Sequence, residues 1–179
     1  MLSRITRLAA LATLSAALVA AAPSAANAEK EKQESGWIPY QQEDVHYDAG
    51  FRCEFAIDGT VLRDREEYKD VSHWPNGQVQ TQLWRGALVM RWTNAATGES
   101  VVRDQSASGI MVYNSDGSFE SLTSTGGAFS AGLPEGSPQG KGLYVIDGRW
   151  SAVVSDSDGT RAIVLGPRGS MENLCETLG

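Results

Sequence analysis

Four turn signatures recur along the chain: Pro75-Asn76-Gly77, the run Asn94 to Gly98, Asp116-Gly117 and Asp158-Gly159. Proline presets φ at one corner of a turn, and Asn-Gly or Asp-Gly accepts the positive φ that tight hairpins need. Between these turns lie short alternating segments such as VQTQLWRG from Val79 and ALVMRWTN from Ala87. Segments this short cannot build long helices. About nine short strands, with a turn roughly every 8–12 residues, predict an all-β antiparallel fold. Short connections favour a sequential meander. An eight-stranded barrel is the expected form, because closure removes exposed strand edges, and a sandwich is the second choice.

Expected strands cover 51–58, about 65–73, the runs from Val79 and Ala87, two segments around Gly109, and SFESLTST from Ser118. Residues 126–142 hold six glycines and two prolines, which predicts a long loop or lid with no regular element. GLYVIDG, RWSAVVSD and TRAIVLG resume the strand pattern, and the tail MENLCETLG looks helical.

The N-terminus points to export. Arg4 and Arg7 precede an apolar run from Leu8 to Ala22, and Ala26-Asn27-Ala28 fits the small-x-small pattern of a signal-peptidase site. The run is shorter than the ~20 residues of a spanning helix. Residues 1–28 therefore read as a signal peptide of a secreted protein. Residues 29–49 read as a disordered polar leader and an extended N-terminal arm, and 50–179 as a single β-barrel domain. Cleavage would remove two of the 15 basic residues and none of the 22 acidic ones, taking the net charge from −7 to about −9. Such acidity disfavours nucleic acid and anionic membrane as partners.

GFRCEFAID, from Gly50, alternates Phe51, Cys53, Phe55 and Ile57 with polar residues, so Cys53 faces the dry side. The one other cysteine is Cys175. In an exported chain this pair reads as a structural disulfide, with a cysteine nucleophile as the alternative.

No motif for catalysis, metal or cofactor emerges. Asp156-Ser157-Asp158-Gly159 begins like a calcium loop, but position 12 of that loop would be Pro167, so it reads as a hairpin turn. His46 and His73 lack a G-x-S-x-G or H-E-x-x-H context. Glu66 and Glu67 should point to opposite faces of a strand. Arg91 and Arg103 lie in strands that should pair across the Asn94–Gly98 turn. Strand parity puts Arg91 opposite Leu88, Met90 and Trp92. Met90, Trp92, Met111, Tyr113 and Tyr144 are the candidate lining of a barrel interior, which either packs solid or holds one small ligand.

RCEF on the first strand, WPNGQ, WTNAATGESV, YNSDGSFES, the Gly-rich stretch and the C-terminal LC together resemble a family of small secreted actinobacterial proteins with no established activity. The resemblance spans nearly the whole mature chain. It implies a small β-barrel similar to the calycin and allene-oxide-cyclase-like barrels, and it carries over no catalytic residue.

Three functions follow as expectations. The first is a non-enzymatic binding module for a small apolar ligand or an envelope component. The second is a cyclase- or isomerase-type enzyme working in an apolar cavity, for which a carboxylate beside an aromatic wall would be the mark. The third is a secreted inhibitor using loop 126–142.

Overall fold

The computed structural model describes residues 36–179, so the expected signal peptide lies outside the described residues. The fold is all-β. Its strands are β1 (Ile38–Tyr40), β2 (Val45–Tyr47), β3 (Ile57–Asp64), β4 (Glu66–His73), β5 (Val79–Gly86), β6 (Leu88–Asn94) and β7 (Ser100–Asp104). They continue as β8 (Ala107–Tyr113), β9 (Phe119–Leu133), β10 (Gly142–Asp147), β11 (Ala152–Ser155), β12 (Arg161–Val164) and β13 (Ser170–Asn173). One helical turn, α1 (Leu174–Thr177), ends the chain.

Every strand pairing is antiparallel. The pairings show that β3–β4, β5–β6, β7–β8, β10–β11 and β12–β13 are halves of single bent strands. With β9 they make a six-ribbon meander, each ribbon paired to the next. The predicted turns hold it: Gly77 N donates to Trp74 O, Gly98 N to Asn94 O, Gly117 N to Asn114 O and Gly159 N to Asp156 O. All four glycines have positive φ.

The bends divide the ribbons between two sheets. The smaller has the order β2-β3-β6-β7, and the larger runs β1-β4-β5-β8-β9-β10-β13 with β11 and β12 branching from β9. The pairings close no ring, so the sandwich alternative is the compatible one. The bends are built from glycine. Gly86 has φ +146, and a Cβ there would strike the carbonyl of Arg65. Gly127 has φ +84, and a Cβ there would strike the carbonyl of Ser106.

Two apolar clusters fill the interior. One joins Ile57, Leu88, Met90 and Trp92 of the smaller sheet to Leu143 and Val145 of β10 and to Leu174 and Leu178. The other joins Phe129, Leu133, Tyr144 and Ile146 to Val153 and Ile163. β10 is thus covered on both faces, which explains why GLYVID reads as an apolar run and not an alternation.

The disulfide forms between Cys53 and Cys175, with Cα atoms 5.2 Å apart and a sequence separation of 122. It fastens α1 beside β3. Arg103 on β7 makes a bidentate bond to Glu172 on β13, both contacts at 2.6 Å. Asn94 Nδ2 donates to the Leu178 carbonyl at 2.9 Å.

Two sequence expectations are corrected. Residues 51–55 form a turn and bends, and the strand starts at Ile57; Cys53 and Ile57 are buried as the alternation predicted, but Phe51 is exposed. The Gly-rich stretch is not irregular throughout. β9 runs on to Leu133, and Ala128 to Leu133 pair with β10. Its glycines make a corner and a close approach, because a Cβ at Gly132 would lie 2.5 Å from Arg52 Nε. The loop proper is 134–141. The N-terminal arm is also part of the sheets, through β1 on β4 and β2 on β3.

Candidate functional site

Cross-strand partners share a face, so the register shows what the concave side of the larger sheet displays. Tyr40 pairs with Glu66, Tyr68 with Trp84 and Asp70 with Gln82. Gln82 in turn pairs with Met111, Trp84 with Gly109, Met111 with Leu122 and Gly109 with Ser124. At one end this face is covered, where Val153 and Ile163 pack under Phe129, Leu133, Tyr144 and Ile146. At the other end it is open. The open half is a groove of about 450 Å³ between β1, β4, β5, β8 and β9, with Leu88, Gln105, Phe129 and Ser130 also on its walls. Its size falls among small-molecule sites.

Its aromatic wall is held in place. The Tyr40 and Trp84 rings meet edge to face at 4.9 Å, and Tyr68 stacks on Trp84 at 5.3 Å. Trp84 Nε1 donates to Gln82 Oε1 at 2.6 Å, and the Tyr113 hydroxyl donates to the same oxygen at 3.1 Å. Gln82 Nε2 donates to Asp70 Oδ1 at 2.7 Å. Gln82 is buried, so this network stabilises the wall at low local dielectric. Gly109 lies opposite Trp84, and a Cβ there would crowd Leu122 Cδ1 and the Thr123 carbonyl at 3.1 Å.

Two polar groups in the groove are poorly provided for. Glu66 lines it, and burial, reinforced by the charge of Asp64, pushes its carboxyl up to about 7. Asp64 itself accepts from the backbone N–H of Gln42 and Glu66, at 2.6 and 2.8 Å. Gln105 is 2 % exposed. Both of its side-chain amide atoms lack a hydrogen-bond partner. Such an orphan is uncommon in a folded interior and costly to keep.

The five candidate lining residues fall in three places. Met111 and Tyr113 line the groove, with the Tyr113 hydroxyl 2.7 Å from Met111 Sδ. Met90 and Trp92 lie in the first apolar cluster. Tyr144 lies in the second, its hydroxyl donating to the Gln139 carbonyl at 2.6 Å. Sequence reasoning missed Tyr40, Tyr68, Gln82, Trp84 and Gln105 as site residues. Parity ties Trp84 to the face of Gln82, but placing that face beside Met111 requires the register. Gln105 sits at a bend, where no parity applies.

The other candidates lie elsewhere. His46 is exposed and 2.6 Å from Asp58. That bond raises the pKa of its imidazole. His73 and Arg91 are exposed. Asp156 to Gly159 form the turn between β11 and β12, where Asp158 accepts from Thr160 N at 2.9 Å. No group of His, Cys, Asp and Glu among the described residues is arranged to hold a metal ion. No helix among them is long and apolar enough to cross a membrane.

Comparison of the chain with protein-family models, curated proteins and solved structures finds no match.

Proposed function

We propose that the protein is a secreted, disulfide-stabilised binding module that takes a small ligand or envelope component with an apolar face into the groove, without transforming it. The expectation of a calycin-like family belongs to the same proposal. The observation that carries it is the half-covered face: beyond the stretch closed by Val153 and Ile163, the sheet presents the Tyr40–Trp84 wall, backed by Tyr68 and fixed by Gln82. A packed core would have covered these rings. Preorganised aromatic surface gains contact at little entropic cost on binding. The Cys53–Cys175 bridge is compatible with an oxidising compartment.

The test is titration with a neutral fluorescent apolar probe, N-phenyl-1-naphthylamine. Saturable binding that Trp84→Ala weakens at least about tenfold, with the fold intact by circular dichroism, is expected from loss of a central aromatic contact. Absence of saturable binding, or equal binding by the variant, would sink the groove as the site.

One observation favours a second reading. Glu66 places a carboxyl beside an aromatic wall, and a carboxyl near neutrality suits general acid–base work. This is the arrangement a cyclase- or isomerase-type enzyme would use. Ligand recovered from the protein decides between the two. A chemically unchanged ligand supports the binding module. Conversion that Glu66→Gln abolishes supports the enzyme.

A further inference from the structure

Gln105 sets a condition on the ligand. The residue is 2 % exposed and belongs to the lining of the groove, and neither its side-chain nitrogen nor its oxygen is paired. A single partner that donates and accepts side by side pairs both atoms of a buried amide at once. A cation would leave the Nε2 hydrogens unsatisfied, and an anion would leave Oε1 unsatisfied. The surroundings also weigh against an anion. Asp64 beside Glu66 and Asp70 behind Gln82 place acidic side chains around the groove. The nearby cation, Arg85, is already bound to Glu67 at 2.6 Å and lies 3.9 Å from the centre of the Trp37 ring.

The aromatic groups narrow the choice further. Tyr68 stacks on Trp84 with the ring planes 29° apart, and Tyr40 stands at 75° to Trp84. On the groove side Trp84 and Tyr40 form a corner and not a slot with two parallel walls. A corner suits a puckered ring with an apolar C–H face better than a flat heterocycle needing a stack on both sides. A neutral ring bearing an amide meets all of these conditions.

Building on the binding-module reading, we infer that the groove takes a neutral N-acetylated sugar, its ring against Trp84 and Tyr40 and its acetamido group paired in both directions with the Gln105 amide. The acetamido N–H donates to Gln105 Oε1, and its carbonyl accepts from Gln105 Nε2. Ser130 is within the same lining and can serve a ring hydroxyl.

The experiment compares two trisaccharides that differ in the acetamido group, chitotriose and cellotriose, by calorimetry on the intact disulfide-bonded protein. N-phenyl-1-naphthylamine is run alongside. Chitotriose should bind, and cellotriose about tenfold or more weaker, the loss of two modest hydrogen bonds. Gln105→Met should lose chitotriose by a similar factor while its melting temperature stays level or rises, because an unpaired buried amide has been replaced by an apolar chain of like size. Equal binding of the two sugars overturns the inference. So does a Gln105→Met variant that melts markedly lower, since the amide would then be serving the fold. Probe binding without either sugar overturns the inference and leaves the binding-module reading standing. Binding of neither sugar nor probe removes both.

Discussion

At the scale of single residues, the groove holds a carboxyl in a place that disfavours its charge. Glu66 is raised from 4.5 to about 7. A carboxyl with a raised folded-state value supports the fold most fully below pH 4.5. That support is lost as pH rises through about 7. Stability should therefore fall between about pH 4.5 and 7.5. Glu66→Gln should flatten that limb, gaining roughly 1–3 kcal/mol at pH 8 and little at pH 4, after allowance for partial exposure. Urea unfolding across the range checks it, and an unchanged slope in the variant would exclude Glu66 as the source. Gln82 is the opposite case, an amide paired at both its nitrogen and its oxygen. Gln82→Met would strand Trp84 Nε1, the Tyr113 hydroxyl and Asp70, at a cost of roughly 1–3 kcal/mol for a buried polar group left unpaired. The same denaturant curves measure it. The cysteine pair was legible in the sequence because two cysteines allow one intramolecular bridge. Gln105 was not, because nothing local distinguishes a buried glutamine at a bend from an exposed one in a loop.

At the scale of elements, the ribbon β5–β6 serves both halves of the molecule. It sends Trp84 to the groove and Trp92 to the first cluster, with the bend at Gly86 between them. Each tryptophan faces a glycine on the neighbouring strand, Gly109 and Gly59. At Gly59 a Cβ would lie 2.5 Å from Trp92 Cζ3. Strand positions and most turns could be read beforehand because period-2 alternation and Asn-Gly or Asp-Gly chemistry are local signals. The course of β9 through Gly126 and Gly127 could not, since composition does not separate a glycine in a loop from one that turns a strand at a corner. The corner gives a paired test. Gly127→Ala must place a side chain at φ +84 against the Ser106 carbonyl, and should cost about 1–3 kcal/mol or more. At Gly126 a Cβ meets nothing within 4 Å, so Gly126→Ala should shift stability by no more than about 0.5–1 kcal/mol. Melting curves of the two variants side by side would show the difference, and equal effects would dismiss the corner.

At the scale of the whole molecule, the antiparallel meander was legible, but the bends that split it were not. A meander of straight strands would close or fold over once. Here the corners at Arg65–Gly86 and Ser106–Gly127 direct β3, β6 and β7 into a sheet of their own. That sheet is tied back by the Cys53–Cys175 bridge, the Arg103–Glu172 pair and the Asn94–Leu178 bond. All three gather β13 and the C-terminus onto the smaller sheet. The groove is built mainly from β1, β4, β5, β8 and β9, away from these ties. Stability and binding should therefore separate. A bridge closing a loop this long contributes about 4–5 kcal/mol in the chain-entropy model. Cys53→Ala combined with Cys175→Ala should lower unfolding stability by up to that amount. At a temperature where the variant remains folded, its affinity for N-phenyl-1-naphthylamine should match that of the parent within about twofold, because the Tyr40–Trp84 wall draws no support from α1. A large loss of affinity in the folded variant would mean that the smaller sheet and the groove move as one body. Leu88 is the contact through which such coupling would pass, since it belongs to the first cluster and also lines the groove.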